Sequence, residues 1–243
     1  MRLQEAVRRR IQKGLKIKAT IADNDAITGT TPVTVGNRTL FFRFATGNGI
    51  EESPDKILYK WKYAVLVTDS SGNPVPNQSL TVAVLPKRYN KGAWFKRPLN
   101  AAFKYWEARY SNEQDDATCL SEDRNRNGIL DAGEDENGDK ALTPGNVVTV
   151  EKTILAGADG IAYFTLTYAK EMAPFVEVDI TVTGSAAGTE NVSSRSVALA
   201  YSNADATDES DPPWNSPFGV DALSDEVDFT TTSICAINGQ IFP

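Results

Sequence analysis

Residues 123–134 carry oxygen-bearing side chains at a set spacing. Asp123, Asn125, Asn127, Asp131 and Glu134 stand at the first, third, fifth, ninth and twelfth places, with Gly128 at the sixth. A hard cation such as calcium takes roughly six to eight oxygens at irregular angles, and a loop with this register supplies them. The side chains of Asp123, Asn125 and Asn127 and the backbone carbonyl of Ile129 would fill four places. Asp131 would bind directly or through water, and Glu134 would close the site with two oxygens. Gly128 permits the sharp turn at the sixth place, and the apolar Leu130 is suited to pinning the loop to the protein body. A solvated acidic loop would account for the Asn, Asp and Gly content, but not for the register.

A partial second copy follows at once. Asp135, Asn137 and Asp139 repeat the first three places, with Ala141 and Thr143 at the seventh and ninth and Asn146 at the twelfth. Lys140 stands where glycine is expected, and no acidic residue closes this loop. Without metal, the carboxylates of Asp123, Asp131 and Glu134 would repel one another. Calcium removal is therefore expected to loosen the segment.

The rest of the chain must position these loops. It has 243 residues, 25 Lys+Arg against 32 Asp+Glu, a net charge of −7 and no histidine. The acidic balance argues against nucleic-acid binding, which needs a positive footprint. The lack of histidine removes Ser-His-Asp and Cys-His machinery and metal sites that need imidazole. No segment reaches the run of roughly 18 apolar residues that marks a transmembrane helix.

In residues 1–18, Leu3, Val7, Ile11 and Leu15 recur at helical spacing beside a basic face, which predicts a short N-terminal helix with an extended linker to residue 30. A secretory leader needs a continuous apolar core after its first charges, which this stretch does not offer. On that reading the chain is either cytoplasmic or part of a longer exported protein.

From residue 31 to 201 the periodicity changes to two. Ile57, Tyr59, Trp61, Tyr63, Val65 and Val67 alternate with residues such as Lys60, Lys62 and Thr68, and the alternation continues in Leu80, Val82 and Val84, and then in Ala162, Phe164, Leu166 and Tyr168. Further strands are expected at 40–44, 147–154, 176–182 and 197–201, with turn chemistry at Asp69–Pro74 and at Ala158-Asp-Gly160. Short strands separated by turns, with no alternating helices, predict an all-β fold: an immunoglobulin-like antiparallel sandwich. A long insertion, residues 86–145, interrupts it with an aromatic group (Trp94, Phe95, Phe103, Tyr105, Trp106, Tyr110) and the loops at 123–134 and 135–146. Residues 202–243 form an acidic, Pro-containing tail. The aromatic group reads as packing over the sheets.

The two cysteines, Cys119 and Cys235, are either a disulfide or two separate buried thiols. A bridge between them would close a long loop and tie the tail to the insertion. An oxidising compartment and millimolar extracellular calcium agree with each other, which favours the disulfide and an extracellular location.

The stretch from Cys119 through Asp139, followed by Pro144-Gly-Asn146, resembles the calcium-loop insertion of bacterial Ig-like modules, related in style to invasin and intimin repeats. Val67-Thr-Asp-Ser-Ser-Gly-Asn-Pro-Val-Pro76 is similar to their strand–turn, Ala158-Asp-Gly-Ile-Ala-Tyr-Phe164 to their turn and strand, and Pro212-Pro-Trp-Asn-Ser-Pro-Phe-Gly219 to the segment after their last strand. The resemblance covers residues 33–219. It implies calcium contacts at Asp123, Asn125, Asn127, Ile129, Asp131 and Glu134, with Asp135, Asn137 and Asp139 in a second loop. It also implies an exported adhesion or filament module without catalysis. Partners would be neighbouring modules or identical subunits, met through edge strands or terminal segments, or a host-cell or glycan ligand. Two other readings compete. A carbohydrate-binding module would stack sugars on Trp94, Trp106 or Trp214. A carboxylate hydrolase would need two acids facing each other across a cleft.

Overall fold

The computed structural model describes residues 15–21, 24–33, 39–98, 104–110, 119–186, 188–207, 213–219 and 234–236. The chain is all-β. Its described strands are β1 (Leu15–Ile21), β2 (Asn24–Val33), β3 (Phe41–Glu52), β4 (Leu58–Thr68), β5 (Ser79–Tyr89), β6 (Gly92–Pro98), β7 (Lys104–Tyr110), β8 (Cys119–Leu120), β9 (Val148–Thr149), β10 (Thr153–Leu155), β11 (Ile161–Ala169), β12 (Val176–Ala186) and β13 (Thr189–Ala198). Every pairing between them is antiparallel.

Two sheets make the body. One runs β3-β4-β11-β9; the other runs β10-β5-β12-β13, with β8 also on β5. Alternation decides which face each residue takes, because successive side chains in a strand point opposite ways. In β4, Tyr59, Tyr63, Val65 and Val67 are buried. In β11, Ala162, Phe164, Leu166 and Tyr168 are buried while Tyr163 is exposed. Leu80, Val82 and Val84 of β5 and Val176, Val178, Ile180 and Val182 of β12 come from the other sheet and join the same hydrophobic cluster. Each such side chain contributes about 1.5–3 kcal/mol when fully buried, so this shared core is the main stabilising term. Ile57, expected to open the β4 alternation, is 61% exposed because it lies in the turn before the strand.

The expected strand over 147–154 is two strands in different sheets. β9 pairs with β11 and β10 with β5, so the chain crosses between sheets near residues 150–152. β13 begins well before the expected 197. Its residues are mostly polar, and among the described strands it pairs with β12 alone.

Of the expected N-terminal helix, residues 1–14 lie outside the described residues, and Leu15–Lys18 belong to β1. The expected linker is the hairpin partner: β1 pairs with β2 from Leu15↔Val33 inward. A backbone ladder has replaced the helical stripe there.

The insertion leaves β5 at Tyr89, makes the β6–β7 hairpin, and returns to the same strand. There β8 pairs Cys119 with Tyr89 and Leu120 with Arg88. Cys119 and Cys235 form a disulfide with Cα atoms 5.4 Å apart. The described part of the C-terminal tail packs on the body. Ser216 donates its N–H to Gly92 O at 3.0 Å and its hydroxyl to Asn90 O at 2.8 Å, and the Phe218 ring lies 4.7 Å from that of Tyr89.

Candidate metal centre

The loops begin where β8 leaves the sheet. Ser121 N–H donates to Lys87 O at 3.0 Å, so the chain is still pinned to β5 when it enters Glu122. Glu122 then clamps the far end of the second loop. Its N–H donates to Thr143 O at 2.9 Å, and its carboxylate accepts the Thr143 N–H at 2.8 Å. Residues 122–143 therefore hang from one closed base, which encloses the first loop and the second as far as its ninth place.

In the first loop the expected residues are linked by hydrogen bonds, but the carboxylates of Asp123, Asp131 and Glu134 do not gather within 4.8 Å of one another. Asp123 accepts the amides of Asn127 (2.9 Å) and Gly128 (3.0 Å). The side-chain amides of Asn125 and Asn127 both reach Asp131 Oδ2 at 2.7 Å. Glu134, 7% exposed, turns its carboxylate inward and accepts the amides of Arg124 (3.1 Å), Asn125 (3.4 Å) and Asp131 (3.0 Å). Gly128 takes φ 77°, the left-handed conformation that the sixth place requires, and Ile129 projects its side chain into solvent.

The second loop copies this arrangement. Asn137 Oδ1 accepts the Asp139 N–H and Asp139 Oδ1 accepts the Ala141 N–H, each at 2.8 Å. These match Asn125 with Asn127 (3.0 Å) and Asn127 with Ile129 (2.7 Å) in the first loop. Asp135 accepts the Lys140 amide at 3.3 Å, as Asp123 accepts that of Gly128. Arg126, Gly128 and Gly133 of the first loop are left-handed; Gly138 and Lys140 of the second stand twelve residues after the first two of these. Lys140 thus adopts the conformation expected of glycine, at φ 65°, and the substitution does not break the loop.

An acid does meet the second loop, where the sequence expectation had none, and it comes from in front of the first loop. Glu122 is 0% exposed, and besides Thr143 it accepts the amides of Glu136 (3.0 Å) and Asn137 (3.2 Å). Asn146, the expected twelfth residue, is exposed. Among the described residues, Glu122, Asp135 and Asp139 are the acids whose ligand atoms all lie within 4.8 Å of one another, so this cluster could hold a metal ion. The Oδ1 atom of Asp135 is buried without a hydrogen-bond partner. The donors are all oxygens, which suits a hard cation and not a thiophilic metal. The negative field of the cluster reaches the sheet: burial pushes the Tyr89 phenol up, and Glu122, Glu136 and Asp139 push it further.

The signal for Glu122 was present as a repeat. Glu122-Asp-Arg-Asn125 recurs as Glu134-Asp-Glu-Asn137, so an acid precedes each loop as well as ending the first.

The other sequence candidates fall elsewhere. Trp94 is 7% exposed and packs edge-on against Tyr201, Trp214 and Phe175, with centroids 4.7, 6.0 and 6.5 Å away. Trp94 and Trp214 are inclined at 77°. The Trp214 indole N–H donates to Ala173 O at 2.8 Å. Lys96 lies 5.3 Å over the half-buried Trp106 ring. These indoles form no coplanar exposed pair among the described residues. A separate polar cluster joins Lys170 to Asp205 (2.8 Å) and Glu52 (3.3 Å), with the Tyr59 hydroxyl donating to Asp205. No described helix is long and apolar enough to cross a membrane.

Fold and site together define an all-β domain carrying a tandem acidic loop. Compared with protein-family models, curated proteins and solved structures, the chain matches none.

Proposed function

We propose that this chain is a non-enzymatic, calcium-stiffened immunoglobulin-like module of a bacterial surface, secreted or filament-forming protein. The observation that carries the reading is the buried Glu122 carboxylate meeting Asp135 and Asp139 within 4.8 Å. Taking carboxylates out of water costs several kcal/mol per charge unless a counter-charge compensates. Calcium is the divalent ion that accepts the irregular mixture of carboxylate, amide and backbone oxygens found in the two loops.

The Cys119–Cys235 disulfide supports an oxidising compartment, where calcium is also abundant. The two antiparallel sheets around one core support the immunoglobulin-like assignment. With no histidine, and with its acid cluster tied down by backbone amides, the chain is better suited to spacing, assembly or adhesion than to chemistry. β13 stands at the edge of its sheet among the described strands, a position from which a neighbouring module or subunit could add a strand. The sugar-binding alternative is weaker because Trp94 is packed away from solvent.

Thermal melting in calcium and in excess chelator tests the proposal. Calcium should raise the midpoint, with magnesium much less effective at equal concentration. Superimposable melting curves in calcium and chelator would overturn it.

A further inference from the structure

We infer that the two loops are one cooperative two-ion unit, in which Glu122 closes the second site as Glu134 closes the first. This rests on the calcium reading above and adds the stoichiometry and the coupling.

The two glutamates perform the same task twelve residues apart. Glu134 gathers the amides of Arg124, Asn125 and Asp131. Glu122 gathers those of Glu136, Asn137 and Thr143, each twelve residues later than its counterpart. The side-chain amide of Asn125 reaches Asp131, and that of Asn137 reaches Thr143 at 2.8 Å. A second site is therefore built to the plan of the first, with a threonine at the ninth place. The Oδ1 atom of Asp135 is buried with no hydrogen-bond partner, although the residue as a whole is partly exposed, and this separate observation favours a cation beside it. An anionic oxygen sealed from water and left without a donor is costly.

The closure is crossed, and the coupling follows from that. Glu122 belongs to the second site while its chain neighbour Asp123 opens the first. Glu134 ends the first site while its neighbour Asp135 opens the second. An ion in either site thus fixes two residues peptide-bonded to ligands of the other. Arg124 of the first loop also pairs with Glu136 of the second at 2.8 Å. The first ion removes repulsion and ordering cost that the second would otherwise meet, which is positive cooperativity.

Calorimetric titration of the chelator-stripped full chain with Ca²⁺ tests this, alongside Glu122→Gln and Asp139→Asn. The wild type should bind two ions per chain with a Hill coefficient above one. Each variant should weaken the first loop as well as the second, by about 5–150-fold, although neither residue touches the first ion. Asp139 is exposed, so its variant separates lost coupling from lost folding, and circular dichroism checks both. A single ion per chain would overturn the inference. So would two independent sites, or variants that leave first-loop affinity unchanged; all three leave the calcium reading intact. No binding at all would overturn both.

Discussion

Arg126, at the tip of the first loop, donates through its guanidinium to the carboxylate of Asp179 on β12 at 2.5 Å. The contact ties the candidate metal centre to the central strands of a sheet at a second point, away from the closed base at Glu122 and Thr143. Ser196 on β13 donates its hydroxyl to the other oxygen of Asp179 at 2.5 Å.

That arrangement predicts a pH dependence. Burial pushes the Asp179 carboxyl up, but the Ser196 hydroxyl and the Arg126 guanidinium outweigh it and hold it below the ordinary value of 3.8. A carboxyl depressed in the folded state stabilises the fold above its unfolded value, and the contribution disappears as pH falls through the folded one. Arg126 is half exposed, so Arg126→Ala should cost only about 0.2–1 kcal/mol at neutral pH. Urea unfolding of both proteins at neutral pH and well below pH 3.8 checks this. The difference between them should vanish on the acid side.

The disulfide should be a large term in stability. It joins residues 116 apart in sequence, and on the chain-entropy model closing such a loop is worth about 4–5 kcal/mol. A Cys119→Ser/Cys235→Ser double variant, unfolded chemically in calcium, should lose most of that amount. A loss below about 1 kcal/mol would mean that the unfolded chain is already held compact there.

Gly160 should resist substitution. It takes φ 75°, and a Cβ there would stand 2.8 Å from Pro74 Cβ and 2.9 Å from the Val67 carbonyl oxygen. Its own carbonyl accepts the Val67 N–H at 2.9 Å, so the backbone cannot easily retreat. Gly160→Ala should cost about 1–3 kcal/mol. Gly47→Ala is the control, since nothing lies within 4 Å of its Cβ position. Thermal or chemical unfolding of the pair reads the contrast.

Lys170 should matter beyond an ordinary surface charge. Its side chain is 12% exposed, bridges Asp205 and Glu52, and lies 4.9 Å over the Tyr59 ring. Lys170→Met would leave two partly buried carboxylates without this bridge, at a cost of about 1–3 kcal/mol. If the variant unfolded within about 0.3 kcal/mol of wild type, solvent would already be screening the cluster.

Much of this molecule is legible along the chain. Tyr59, Tyr63, Val65 and Val67, and Ala162 through Tyr168, alternate because a strand exposes its faces in turn, and burial follows that alternation directly. The register from Asp123 to Glu134 is local too, since all its members lie within one short loop. In the β6–β7 hairpin, by contrast, aromatic content hid the strands: Trp94 and Phe95 are adjacent and apolar, yet one is buried and the other exposed.

By itself the sequence determined the all-β class, the facing of the central strands, the spacing of the first loop and the availability of one cysteine pair. Each follows from neighbours a few residues apart, or from a count of two. The tertiary structure decided that Cys119 meets Cys235 and that residues 147–155 divide between two sheets. It also decided that the Glu122 carboxylate meets Asp135 and Asp139, thirteen and seventeen residues later. The physical reason is the same in each case: partners distant along the chain are chosen by which arrangement buries apolar area and leaves the fewest polar groups unpaired, and only the folded chain settles that competition.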